Sequence, residues 1–183
     1  SRELGPVLEP VTSDPLVLHQ AIKDLRQFSL IQDNTATGLV SLHWLVQTML
    51  KDEMDTDTQR LWAERVIRAI EHAFPSTDTA TWLECQPYFL QVQNCAFLID
   101  HHNLNFLEAA NLLHLAANML RKHVYYEQAL QFLLHALSIY EEVLGAEHTE
   151  TAIILNDLAL LYRDQGKYEQ AKALLQRSSA LKE

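Results

Sequence analysis

Glycine is the scarcest structural signal in this chain: 183 residues contain only four, at positions 5, 38, 145 and 166. No G-x4-G-K-[ST] loop occurs. Four glycines so dispersed leave no other way to build a backbone cradle for phosphate, so this chain cannot bind and hydrolyse a nucleotide unaided. Proline is nearly as rare, with five residues, which suits long helices joined by short connections. Cysteine is limited to Cys85 and Cys95. On one helix they would stand about 15 Å apart along the axis, too far for a disulfide, and they read as small buried residues of a reducing compartment. No apolar run approaches the ~20 residues that span a bilayer, and no signal-peptide pattern opens the chain. Basic residues are in deficit, 14 Lys and Arg against 24 Asp and Glu for a net charge of −10. That balance argues against nucleic acid and against anionic membranes as partners. The expectation is a soluble, cytoplasmic protein with no nucleic acid and no membrane partner. The first residue is Ser, and the last helical pattern runs straight to Glu183, which predicts an excised piece of something longer.

What is present is apolar and periodic. Hydrophobic residues make up 48% of the chain, enough for one domain or two small ones with a substantial core. Tyr126-Glu127-Gln128-Ala129 returns as Tyr168-Glu169-Gln170-Ala171, a period of 42 residues. The register extends upstream, pairing Leu113 with Leu155, Ala117 with Ala159 and Leu120 with Tyr162. A fixed period of this size predicts stacked supersecondary units. Helical spacing and turn chemistry divide the region into hairpins over 105–144 and 147–183, with Gly145 a C-cap and Gly166 in a tight turn. Ala117, Ala159, Ala129 and Ala171 are expected where helices touch closely. Leu113, Leu120, Leu155 and Tyr162 are expected to fill the gaps between them.

The N-terminal third reads differently. Residues 1–13 are expected to be an extended lead-in. Asp14-Pro15 signals a helix start, followed by apolar Leu18, Ile22, Leu25 and Phe28 at helical spacing. Phe28–Ile31 and Leu39–Leu42 read as two short strands around turn residues 33–38, and Trp44–Met54 as a helix. Two amphipathic segments follow, 57–74 and 79–101, separated by Pro75, with Pro87 expected to kink or split the second. The expected organisation is a partial winged-helix unit over 1–54 and a helical repeat domain over 55–183. The latter comprises a degenerate pair at 57–101 and the two clear repeats, since two repeats alone are seldom stable.

Catalytic chemistry finds little to build on. Nine histidines are scattered. His101 and His102 would point about 100° apart on a helix, and no pair has a third ligand at metal-site spacing. Cys85 lacks a visible base and oxyanion donors. Glu141-Glu142 reads as a solvated face, and Trp62 and Trp82 as core anchors. The chain is therefore expected not to be an enzyme and to hold no cofactor or metal.

The repeat resembles the tetratricopeptide repeat. Against W-x2-L-G-x2-Y…A, the second unit reads Leu155-x2-Leu158-Ala159-x2-Tyr162, then Gly166, Tyr168 and Ala171; the first departs with Ala116 for Leu and Val124 for Gly. Leu144-Gly145, His148-x2-Thr151-Ala152 and Leu155-Asn156 resemble the kinesin light chain variety, with Thr149 where that subtype often has Pro. The resemblance implies an α-α superhelix whose first helices line a concave, peptide-binding groove. The groove positions map to Asn111, His114, Asn118 and Arg121, and to Ile153, Asn156, Leu160 and Arg163. Amides there suit peptide backbone, and Arg121 and Arg163 suit a carboxylate. A solvated face without ligand is the alternative.

Ser29-Leu30-Ile31 and Ser41-Leu42-His43-Trp44-Leu45-Val46-Gln47, followed by Trp62, Phe74-Pro75 and Trp82-x2-Cys85, resemble the winged-helix end of NB-ARC-type signal-transduction NTPases. In that family the motif histidine senses bound nucleotide, a role that would fall to His43; a plain structural role is the alternative. Trp44 stands where the family often has Arg or Asp. The resemblance implies ATP or ADP in a parent protein and an upstream nucleotide-binding domain of the same chain as partner. It also implies a two-state hinge near 52–58. Two readings follow: a non-catalytic regulatory and protein-recognition segment of a signalling ATPase, or a free-standing scaffold of tetratricopeptide repeats.

Overall fold

The computed structural model describes residues 10–11, 13–34, 39–75 and 82–181. The chain is mostly α, and its contacts divide it into two compact units, Ser1–Ala69 and Ile70–Glu183.

The first unit opens with helical backbone at Pro10, Val11 and Ser13. This corrects the extended lead-in over those residues; residues 1–9 lie outside the described ones. Helix α1 (Pro15–Gln27) starts as its sequence requires: Asp14 Oδ1 accepts from the Leu16 N–H at 2.9 Å, and Pro15 supplies the first helical φ. Its apolar stripe is not a core stripe, however, since no residue of α1 is buried. The helix ends in a turn with Ser29 at φ 55°, so the first strand begins later than expected. Strand β1 is Ile31–Asn34 and β2 is Leu39–Leu42, antiparallel with Ile31 opposite Leu42 and Asn34 opposite Leu39. Asp33 and Asn34 thus belong to the strand, and turn residues 35–38 lie outside the described residues. Helix α2 (Trp44–Glu53) is tied back to the ribbon by Gln47 Nε2, which donates to the Leu42 carbonyl at 2.7 Å. Asp55 caps helix α3 (Thr56–Ala73) by accepting from the Thr58 N–H at 2.7 Å. Trp62 is only half-buried and carries the Arg65 guanidinium over its ring at 4.9 Å. The Trp82 side chain lies outside the described ones.

In the second unit, α4 (Trp82–His102) runs through Pro87 without a break. It buries Cys85, Val92, Cys95 and Ile99, which share one face at helical spacing. Both cysteines are free thiols. Helix α5 (Leu107–Lys122) is buried nearly all round because α4, α6 and α7 all pack on it. Helices α6 (Tyr126–Val143), α7 (Thr149–Asp164) and α8 (Tyr168–Ala180) follow, each packed on the one before. The small residues sit where close approach demands them: Ala117, Ala129 and Ala159 are 0–1% exposed and Ala171 5%. Leu113, Leu120 and Leu155 are buried between them, but Tyr162 is half-buried, its ring beneath the Lys167 ammonium at 5.7 Å. Gly145, at φ 97°, closes α6 by donating its N–H to the Glu141 carbonyl at 3.1 Å. The same carbonyl-rich turn is used again, since the Gly145 carbonyl accepts from Thr151 Oγ1 at 2.9 Å and satisfies a fully buried hydroxyl.

Candidate peptide-binding face

Helices α5 and α7 each project a polar row at the same repeat positions, and the two rows have different fates. On α5 every predicted contact residue is engaged by a neighbouring helix. Asn111 Nδ2 donates to the Glu71 carboxylate of α3. His114 Nε2 lies 2.5 Å from Asp157 Oδ2 of α7. A carboxylate oxygen that near fixes the proton on Nε2, so the ring donates to Asp157. Asn118 Nδ2 donates to the same oxygen at 3.0 Å, which leaves its buried Oδ1 without a partner among the described residues. Arg121 Nη1 donates to Asp164 Oδ2 at 2.8 Å, and Arg163 Nη2 reaches Asp164 Oδ1 at 3.2 Å. The two arginines one period apart therefore do converge on a carboxylate, and it is one from this chain.

These pairs set the electrostatics. Burial pushes the Asp157 carboxyl upward, but hydrogen bonds from His114 and Asn118, with the charges of His114 and Arg121, outweigh it and hold the group below its ordinary value. Asp164 is likewise held low: its slight burial is outweighed by hydrogen bonds from Arg121 and Arg163 and by their charges.

On α7 no other described helix engages the row, and Arg163 bonds within its own helix to Asp164. The Asn156 side chain is half-buried and makes no hydrogen bond to a described residue. Ile153 is 37% exposed, Leu160 is half-buried, and the Arg163 side chain is 57% exposed. Beside this row lies a groove of about 480 Å³ between α7 and α8, lined by Leu160, Arg163, Tyr168, Ala171, Lys172 and Leu175 among others.

The sequence reading missed Asp157 and Asp164, the partners that consume the α5 row. A signal existed: His114 to Arg121 and Asp157 to Asp164 are both seven-residue steps, offset by 43 residues in each pair. Two cationic or donor positions and two acids in matching step on consecutive first helices describe a ladder between them. His43, the remaining candidate, caps α2 through Nδ1, which accepts from the Leu45 N–H at 3.3 Å. His148 does the same for α7, accepting from the Glu150 N–H at 3.2 Å.

Residues 108–183 match the tetratricopeptide repeat family model. The match covers the α5–α6 and α7–α8 hairpins, where the 42-residue correspondence holds. Repeats of this family are protein- and peptide-interaction modules and typically non-catalytic. No curated protein matches the chain. Among the described residues no helix is long and apolar enough to cross a membrane.

Proposed function

We propose that this chain is a non-catalytic protein-recognition segment and that α7 carries its principal contact row, Asn156, Leu160 and Arg163. Asn111, His114, Asn118 and Arg121 continue the face on α5; His114, Asn118 and Arg121 brace α7 through Asp157 and Asp164, and Asn111 is held by Glu71. The observation that carries this reading is the unspent, half-buried amide of Asn156, flanked by Ile153 and Leu160 and about two turns before Arg163 on the same helix. A primary amide offers one acceptor and two donors, which match a peptide unit in either direction. An adjacent guanidinium favours an acidic side chain or a chain-terminal carboxylate. The test is a peptide selected from a displayed random library against the wild-type chain, then titrated calorimetrically. Asn156→Ala with Arg163→Ala should weaken it roughly tenfold or more; unchanged affinity overturns the proposed row.

A narrower reading places the segment in an NB-ARC-type signalling ATPase, with an upstream nucleotide-binding domain as an intramolecular partner and ATP or ADP as the parent protein's cofactor. The motif Ser41–Gln47 supports it. So does the apolar surface of the first unit, where Leu16, Phe28 and Trp44 are 79%, 70% and 68% exposed, as a surface covered by another domain would be. With Nδ1 spent on the helix cap, a neutral His43 carries its proton on Nε2, the atom that would donate to a phosphate. The parent would be cytoplasmic. Sequencing the full reading frame decides between the two: an upstream phosphate loop supports the ATPase, and a frame without one leaves a free-standing scaffold.

A further inference from the structure

A groove of about 210 Å³ opens between the N-terminal halves of α4 and α6, over the last turn of α5. Both walls and the floor are helices of this chain, so neither end of the sequence exposes it. Gln86, Phe89 and Gln93 lie three and four residues apart on one face of α4, and Gln128 and Phe132 lie four apart on α6. Leu120, 4% exposed, forms the floor, and Tyr125 stands at the turn into α6. Phe74 meets Phe89 edge-on, with ring centroids 6.3 Å apart, and fixes its ring. Further along, His135 Nε2 of α6 lies 3.3 Å from Asp100 Oδ1 of α4 and bridges the two helices.

We infer that this groove takes a proline-rich segment of a partner protein in the polyproline II conformation. The lining selects the occupant. Three aromatic rings and three primary amides line it and no charged side chain does, in a chain whose net charge is −10, so it offers no counterion to an acidic or a basic anchor. Its volume is below the ~300 Å³ at which small-ligand pockets begin and suits a side chain or two of a strand lying across it. A polyproline II strand has no internal hydrogen bonds, so its carbonyls are open to other donors. Gln86, Gln93 and Gln128 are exposed at the rim and can donate to them. The rings pack flat on pyrrolidine rings, the pairing by which aromatic-lined grooves hold such segments. An α-helix keeps its carbonyls within itself and gives the three amides no backbone acceptor. Nor does the hairpin itself require these rings: one period on, Tyr125 and Phe132 become Lys167 and Leu174. The groove shares no residue with the α7 contact row, so the two surfaces are tested separately.

The probe is fluorescein-labelled decaproline, titrated by anisotropy against the full 183-residue chain, with a glycine–serine peptide of the same length as control. Decaproline should bind saturably and the control should not. Phe132→Ala should weaken it at least about tenfold by removing a stacking face, and Gln128→Ala should weaken it severalfold. If Phe132→Ala fails to fold by circular dichroism, Tyr125→Ala, at a residue 48% exposed, replaces it with the same loss expected. Asn156→Ala with Arg163→Ala should leave the decaproline affinity unchanged. No saturable binding, or binding indifferent to the ring variants, overturns the inference. Equal affinity for a neutral, leucine-rich helical peptide removes the preference for polyproline II and overturns it as well. Decaproline lost on the Asn156 and Arg163 changes belongs to the α7 row, and dimerisation of the unliganded chain that Tyr125→Ala abolishes assigns the groove to a second copy; either result overturns it. A library peptide that needs Asn156 and Arg163, beside a decaproline that does not bind, leaves the α7 contact row standing while the aromatic groove falls.

Discussion

Val124 and Gly166 occupy the same backbone position one period apart, at φ 69° and 76°. The hydrogen bonds around them also coincide. The Val124 N–H donates to the Arg121 carbonyl at 3.1 Å and the Gly166 N–H to the Arg163 carbonyl at 2.9 Å. One residue on, Tyr125 donates to Leu120 at 2.9 Å and Lys167 to Tyr162 at 2.8 Å. A β-branched residue therefore holds a left-handed turn that its counterpart gives to glycine. The turn is set by the packing of the hairpin and is imposed on whichever residue stands there.

That imposition has a measurable cost. A non-glycine residue in the left-handed region costs of order 1–2 kcal/mol, partly offset by the greater freedom glycine loses on folding. Val124 is 65% exposed, so little packing is lost on its removal. Val124→Gly should raise stability by about 1 kcal/mol in urea titration, and Gly166→Val should lower it by about as much or more.

The Asp157 carboxyl gives a pH dependence with a definite sign. Its folded pKa lies below the ordinary 3.8. The native carboxylate holds its proton less tightly than the unfolded one, so the stabilisation is complete above the unfolded value and disappears as pH falls through the folded one. Urea midpoints followed from pH 6 downward should drop through the acid range, and Asp157→Asn should flatten part of that drop.

Cys95 tests the burial of α4 chemically. Desolvation pushes its thiol up to about 11, so almost no thiolate exists at neutral pH. Ellman's reagent at pH 7.5 should leave Cys95 unmodified in the folded chain and modify it fast in 6 M guanidinium. Prompt native labelling at Cys95 contradicts the placement of that face.

Much of this architecture was legible because it is local. The period, the caps at Asp14 and Gly145, and the turn at Gly166 are short-range signals, and the helices they bound lie within a few residues of the expected limits. The β-ribbon was legible as two strands, but the register was not: Ser29's left-handed φ delays β1, and nothing in Phe28–Ile31 announces it. The groove rows were legible as positions and illegible as contacts. Whether His114 or Asn156 is free depends on which acid the next helix brings alongside, and that is settled by packing between helices 43 residues apart. The 45% exposure of Leu175 was equally hidden, because its sequence is that of a covered residue.

Leu133, fully buried, and Leu175 test the correspondence of the two hairpins most directly, since they share a repeat position and differ in what lies over them. Each is changed to Ala in the full chain, and urea unfolding is followed by circular dichroism. Leu133→Ala should cost about 2–5 kcal/mol, as for a filled core site, and Leu175→Ala under about 1 kcal/mol. Equal losses at the two positions would contradict the claim that α7 closes over Leu133 of α6 while Leu175 of α8 stands exposed.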